Sequence, residues 1–160
     1  MKKFFIYLLT LLLILQTTSS VTYARSDSVS YTTRTYLEDG YYIVTTLTTN
    51  SPRSSISTYA STYSKTASRT TNVYNSSNQI LWSVKVIGTF TYGNGSAQCT
   101  KADVDVKSYN SYWKLSNVSA ARSGATAYAS ATGKKIINGI VMQTINRSIS
   151  ITCSPTGELS

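Results

Sequence analysis

The stretch ILWSVKVIGTFTYGNGSAQCT, residues 80–100, decides the fold of this chain. Its first thirteen residues alternate between an apolar side and a mostly polar side, which is the two-residue period of a β-strand with one buried face. The apolar side comprises Ile80, Trp82, Val84, Val86, Phe90 and Tyr92, and the other side comprises Leu81, Ser83, Lys85, Ile87, Thr89 and Thr91. We interpret the apolar side as core, because the surface of a folded protein rarely carries an apolar stripe of this length.

A return strand follows after the compact turn GNGS, residues 93–96, whose glycines accept the backbone angles of a hairpin. Its inward side chains are predicted to be Ala102, Val104 and Val106. Cys99 is out of phase with these three, which predicts a β-bulge near Thr100.

Turn signals and alternation predict further strands on both sides of this hairpin. Residues 28–49 are typical of a hairpin that turns at Asp39 and Gly40. Residues 65–74 are typical of a polar strand. Residues 112–121 predict another strand. Alanines then occupy every second position from 125 to 131, so a large side chain must pack over them, and Trp82 and Trp113 are the candidates.

The last predicted hairpin turns at Asn138 and Gly139, the strongest two-residue hairpin signal. The strand after it places an apolar set on one side: Val141, Ile145, Ile149, Ile151 and Cys153. This side is predicted to face the Trp82 side across a core. Seven to nine short strands without helical periodicity favour an all-β antiparallel β-sandwich of immunoglobulin-like size, and a small β-barrel is the alternative.

The N-terminus has the three-part pattern of a secretory signal peptide. Lys2 and Lys3 precede an apolar run over residues 4–15, which is shorter than the roughly 20 residues that span a bilayer. Cleavage is expected between Ala24 and Arg25, and an uncleaved anchor is the alternative. We therefore expect a secreted, extracellular protein, with association with the cell wall as a variant, and no stable membrane span.

The predicted organisation has four parts. Residues 1–24 are the signal peptide, 25–49 an N-terminal segment with a β-hairpin, 50–64 a Ser/Thr-rich loop or linker, and 65–160 the β-sandwich core domain. The linker prediction rests on small polar residues without a period and on Pro52.

The chain is basic, with 15 Lys and Arg against 6 Asp and Glu. Without Lys2 and Lys3 the counts are 13 and 6, a net charge of +7. This charge serves solubility, or it attracts an anionic partner such as a cell-wall polymer or a glycan. Another extracellular protein is also a candidate partner. Nucleic acid is not expected, because the basic residues are scattered along the chain.

Cys99 and Cys153 form an even pair in an exported protein, which favours a structural disulfide. A redox site and a metal site are the alternatives. The first lacks a C-x-x-C motif, and the second lacks ligands because the chain contains no His. We expect no cofactor and no metal.

The residue inventory is poor in catalytic groups. Without His, neither Ser-His nor Cys-His catalysis is available. Asp103 and Asp105 are the only carboxylates expected to share a strand face, and we interpret them as a solvated face, with weak calcium binding as the alternative. Ser111 and Lys114 have the S-x-x-K spacing, but no helix is predicted around them. We therefore predict no enzymatic activity.

The segment KSYNSYWKL, residues 107–115, mixes cations with aromatic rings, as sites for sugars and anionic polymers do. Its candidate ligand surface consists of Lys107, Tyr109, Tyr112 and Lys114. The alternative is structural, with Trp113 anchoring a strand in the core and the tyrosines flanking a turn.

Four segments carry a resemblance: YLEDGYYIVTT (36–46), VYNSSNQILWSVKVIGTFTYGNGSAQCT (73–100), SYWKLSNVSAARSGATAYASATG (111–133) and ISITCSPTGELS (149–160). Together they resemble a family of small secreted, β-rich, functionally uncharacterised proteins of Gram-positive bacteria. Asn78 stands where that pattern usually has Gly, and Asn is the next best residue at positive φ. The resemblance implies an exported β-domain and a pairing of Cys99 with Cys153, and it implies no active site.

These observations predict a secreted, non-catalytic β-sandwich that binds or interacts at the cell envelope, or with an extracellular glycan or protein. A secreted antagonist that acts on membranes, like a bacteriocin, is the first alternative. A hydrolase that uses Ser and Lys chemistry is the second.

Overall fold

A computed structural model describes residues 27–51 and 62–160. In these residues the chain forms eight β-strands and one short 3₁₀ turn, Glu38–Gly40. The strands are β1 (Asp27–Tyr36), β2 (Tyr42–Ser51), β3 (Tyr63–Tyr74), β4 (Ile80–Gly93), β5 (Ser96–Ser108), β6 (Trp113–Ser123), β7 (Thr126–Ile137) and β8 (Ile140–Thr152). Strands β1 to β5 form one sheet and β6 to β8 another, each in the order of the sequence. All pairings are antiparallel.

The predicted β-sandwich is confirmed. The two sheets remain separate and open at their edges, so the chain does not form the alternative barrel. The three-stranded sheet packs against β3, β4 and β5, while β1 and β2 extend the larger sheet beyond it. The hairpin predicted over residues 28–49 is thus the edge of the five-stranded sheet, because β2 pairs with β3 from Tyr42 to Asn50.

Two of the hairpins turn on the residues that the sequence indicated. Asn138 and Gly139 have φ angles of 51° and 82°, and Asn94 and Gly95 have 52° and 74°. Two successive positive φ angles define the type I′ turn that fits the twist of paired strands. Asn78, in the β3–β4 turn, also has a positive φ of 61°.

The predicted core side of β4 is confirmed at its centre. Trp82, Val84, Val86 and Phe90 are completely buried. The bulge predicted near Thr100 is also present, because Thr89 pairs with Lys101 and Phe90 with Cys99, which leaves Thr100 unpaired in the register.

The predicted alanine stripe on β7 is buried, and Trp82, one of the two predicted rings, lies at its end. Ala127, Ala129 and Ala131 are buried, and the next inward residue is Gly133. A Cβ atom at Gly133 would lie 2.5 Å from the Trp82 ring. The absence of a side chain at this position is therefore what allows the indole to lie against β7.

One part of the predicted core side of β8 is wrong. Ile145 and Ile151 are buried as expected, but Val141 is 50% exposed. Lys135 pairs with Gln143 while Ile136 pairs with Val141, so Met142 is an extra residue in β8. Such a bulge changes the face on which the preceding residues lie. Val141 consequently lies outside the core.

The predicted disulfide is also corrected, because Cys99 and Cys153 are free, buried thiols. They flank the β6–β7 turn, where the backbone N–H of Cys99 donates to Gly124 O and that of Cys153 to Ala125 O. Each sulfur is directed at a carbonyl close to it in sequence. Cys99 Sγ donates to Lys101 O at 3.2 Å, and Cys153 Sγ donates to Ser154 O at 3.5 Å.

Two predictions fall outside the described residues. The signal peptide and its cleavage between Ala24 and Arg25 precede residue 27, and most of the loop predicted over residues 50–64 lies between Ser51 and Thr62. Both stay predictions.

Replacing Gly133 with Ala should lower the free energy of unfolding by about 1–3 kcal/mol, because the new methyl group overlaps a buried, rigid ring. Urea denaturation followed by circular dichroism measures this change. Ser148→Ala, at an exposed position of β8, is the control and should leave the midpoint nearly unchanged. Equal midpoints for Gly133→Ala and wild type would contradict the packing of Trp82 on β7.

The two thiols should react slowly with iodoacetamide in the native protein. Burial raises the pKa of Cys99 and of Cys153, so both are protonated at pH 7.5. Their reactive thiolate forms only as the pH rises through these elevated pKa values. Mass spectrometry should show two rapid alkylations in urea and few without it, and a protein that accepts no label in urea would contradict the free thiols.

Candidate functional site

The residues of the predicted ligand surface lie at one end of the sandwich, where the β1–β2, β3–β4, β5–β6 and β7–β8 connections meet. Two backbone hydrogen bonds join these connections: Tyr109 N donates to Leu81 O at 2.9 Å, and Ile136 N donates to Tyr112 O at 2.8 Å. We call this region the aromatic end, and define it by residues 107–115 and 134–142.

Trp113 anchors the aromatic end in the core. It is 2% exposed, and its ring centroid lies 6.5 Å from that of Trp82 and 6.1 Å from that of Tyr41. The structural interpretation of Trp113 is therefore right. Tyr109 and Tyr112 differ from it, because they are 49% and 55% exposed.

Local hydrogen bonds order the turn that presents these tyrosines. Asn110 Oδ1 accepts from Tyr112 N at 2.9 Å, and Asn110 O accepts from Trp113 N at 3.0 Å. Ser108 Oγ lies 2.9 Å from Asn110 O and 2.8 Å from Trp113 O. A turn held by its own side chains presents its rings with little loss of entropy on binding.

Three of the four predicted ligand residues are brought together. The Lys107 ammonium lies 4.8 Å from the centre of the Tyr109 ring, which is a cation–π contact. Tyr109 and Lys114 line one hollow of about 470 Å³. Tyr112 instead lines a neighbouring hollow of about 350 Å³, together with Trp113 and Lys135.

The register of β6 and β7 creates a lysine pair that sequence reasoning missed. Lys114 lies directly opposite Lys134, and Trp113 opposite Lys135. Directly opposed residues share a sheet face with Cβ atoms roughly 4.5–5.5 Å apart, so Lys114 and Lys134 are like charges in a destabilising arrangement. Only knowledge of the β6–β7 pairing would have revealed this, since twenty residues separate the two lysines.

No carboxylate in the described part of the chain forms an ion pair with these lysines. The one salt bridge found in it joins Lys101 to Asp103, 2.7 Å apart on β5. Glu38 and Asp39 lie in the β1–β2 turn at the same end, where Asp39 Oδ2 accepts from Gln143 Nε2 at 3.4 Å. Asp39 is therefore next to β8, whereas Lys114 lies on the opposite edge strand, β6, and Lys134 on the central strand, β7.

The tip of the β7–β8 hairpin, residues 136–142, is a second feature that was missed. Ile140, Val141 and Met142 are 64%, 50% and 61% exposed. Ile136 and Ile137 are half-buried. The sequence signal was present, because apolar residues occupy successive positions on both sides of the Asn138–Gly139 turn, which does not fit a strand with one buried face.

Two other surface features have structural explanations. Tyr36, Tyr42 and Tyr74 form a cross-strand ladder in which the Tyr42 and Tyr74 rings are stacked with centroids 4.8 Å apart. A trough of about 600 Å³ beside β8 contains Arg69 and several serines. Arg69 Nη1 donates to Ser150 O at 2.6 Å, so this guanidinium joins the two sheets.

The structure places the S-x-x-K pair outside any helix. Ser111 lies in the β5–β6 turn and Lys114 at the start of β6, so strand and turn replace the helix that an S-x-x-K nucleophile needs. Among the described residues, no three His, Cys, Asp or Glu side chains are grouped to hold a metal ion. The same residues include no helix with the length and hydropathy needed to cross a bilayer.

Comparison with protein-family models, with curated proteins and with solved structures finds no match for this chain. The resemblance to small secreted proteins of Gram-positive bacteria thus stays a prediction.

Replacing Lys134 with Gln should raise the free energy of unfolding by roughly a few tenths of a kcal/mol at low ionic strength, because it removes a like-charge neighbour of Lys114. Added salt at 1 M should abolish the gain by screening. Urea denaturation at both ionic strengths measures the effect. The control is Lys85→Gln, whose cross-strand neighbour is Asp105, and it should not gain stability. Identical behaviour of the two variants would contradict the lysine pair.

Proposed function

We propose that this chain is a secreted, non-catalytic binding protein that acts at the cell envelope and holds an anionic ligand at its aromatic end. The observation that supports this function best is the opposition of Lys114 and Lys134. Two like charges on one sheet face cost stability, and an anionic group placed between them would offset that cost. The proposed place of action rests on the signal pattern of residues 1–24.

The ligand would bind by charge and by stacking. Lys114 and Lys134, which share a sheet face, would neutralise its anionic groups, and Lys135 would add its charge at the smaller hollow. Tyr109 and Tyr112 would offer ring surface and hydroxyl groups. The two hollows, about 470 and 350 Å³ in volume, lie side by side and share Asn110 and Trp113. Neighbouring hollows on an exposed rim suit an extended polymer, such as an anionic wall polymer or a glycan, better than one enclosed small molecule.

A binding role also agrees with the chemistry that the chain offers. It contains no His and only six carboxylates, so general acid–base chemistry has few candidates. Asp103, one of the two carboxylates on β5, is engaged by Lys101. A hydrolase based on Ser111 and Lys114 is the weaker proposal, because both side chains are exposed to solvent.

Binding to purified Gram-positive cell walls tests the proposed function. The double variant Lys114→Gln, Lys134→Gln should bind roughly tenfold or more weakly, since each lysine near an anionic surface contributes about 1 kcal/mol. Salt at 0.5 M should release the wild-type protein. Co-sedimentation over a series of wall concentrations measures both effects.

The matched control is Lys85→Gln, Lys101→Gln, which removes the same charge from the face of the five-stranded sheet. It should retain most of the binding. An equal loss in both double variants would show that only the net charge matters, and would refute a site at the aromatic end.

A further inference from the structure

The hairpin tip carries an exposed apolar surface that the fold itself does not use. Ile140, Val141 and Met142 are each at least half exposed, and together with Ile136 and Ile137 they surround the Asn138–Gly139 turn. The Met142 bulge is what takes Val141 out of the core, because it breaks the alternation of β8. Neighbouring apolar residues exposed on a folded protein are typical of a surface that contacts a partner or a membrane.

The distance from the tip to the nearest lysines matches the depth of a membrane interface. Lys135, which pairs with Gln143, lies three residues before Asn138, the first residue of the turn. At about 3.3 Å per residue, the apolar part of the hairpin extends about 10 Å beyond the lysines. Interfacial apolar elements enter the boundary between headgroups and acyl chains to about 5–10 Å.

Moving away from the tip, the apolar residues are followed by a tyrosine and then by lysines, which is the order found at membrane surfaces. Tyr112 lies level with Ile136, because its carbonyl accepts the Ile136 N–H, and tyrosine favours the headgroup region. The lysines Lys114, Lys134 and Lys135 lie at or just below that level, where lipid phosphates would meet them.

We infer that residues 136–142 insert into the surface of a membrane with anionic headgroups, and that the lysines beneath them bind the lipid phosphates. This inference goes beyond the proposed function and rests on it for the lysines of the aromatic end, because it adds an anionic lipid surface to the wall polymer or glycan as a partner. A second copy of the chain fits less well, because two tips in contact would bring two lysine pairs together.

Co-sedimentation with phospholipid vesicles tests the inference on the secreted chain. Wild-type protein should bind vesicles of phosphatidylglycerol and phosphatidylcholine in equal parts, and should bind phosphatidylcholine alone at least tenfold more weakly. The variant Ile140→Ser, Met142→Ser should bind the anionic vesicles roughly tenfold or more weakly than wild type. Thermal unfolding should show that this variant folds normally, since both side chains are exposed.

The matched control is Tyr31→Ser, Val118→Ser, which removes two exposed apolar side chains away from the tip, 66% and 42% exposed. It should bind the anionic vesicles like wild type. A second measurement uses Val141→Trp, whose fluorescence should be quenched by lipids brominated in the acyl chain. Trp82 and Trp113 are buried and give the unquenched background.

Unchanged binding of the tip variant, or an unquenched Trp at position 141 in bound protein, would overturn the inference. The two proposals fail separately. A wild-type protein that binds soluble, lipid-free anionic wall polymer but no vesicle refutes insertion and leaves the proposed function standing. A protein that binds neither refutes both.

Discussion

The fit of Trp82 against Gly133 is the constraint on which the sandwich depends. Two packed sheets lie about 10 Å apart, so the summed size of facing side chains is nearly constant across the core. Here the large side chains, Trp82 and Phe90, are on β4, and the small residues, the alanines and Gly133, are on β7. The indole Nε1 is buried without a hydrogen bond, which costs about 1–3 kcal/mol. The apolar contact of the ring must outweigh that cost.

Much of this fold was predictable because it rests on local patterns. The alternation of β4, the alanine stripe of β7 and the turns with two positive φ angles can each be identified within about ten residues. The error at Val141 has a different origin, because a bulge displaces one strand relative to its partner, and its position depends on how β7 and β8 pair. The error over Cys99 and Cys153 is similar. An even number of cysteines in an exported protein predicts that the two thiols pair. It does not predict the direction in which each sulfur points.

The candidate site was predictable only in part, because some of its residues come together only through the pairing of strands. Lys107, Tyr109, Tyr112 and Lys114 lie close together in the sequence, so composition alone drew attention to them. Lys134 and Lys135 join them through the β6–β7 ladder, and the apolar tip becomes exposed through the Met142 bulge. The site therefore combines a segment that composition identifies with two features that depend on strand register.

The connectivity has a consequence for how the chain reaches its native state. Every ladder in the described residues joins strands that are consecutive in the sequence, so each sheet can grow hairpin by hairpin through short-range contacts. Only the meeting of the two sheets, as between β4 and β7, requires the closure of a long loop. Contact order correlates inversely with folding rate. The chain should therefore fold quickly for an all-β sandwich, because none of the eight strands of residues 27–51 and 62–160 must find a distant partner in a Greek-key crossing.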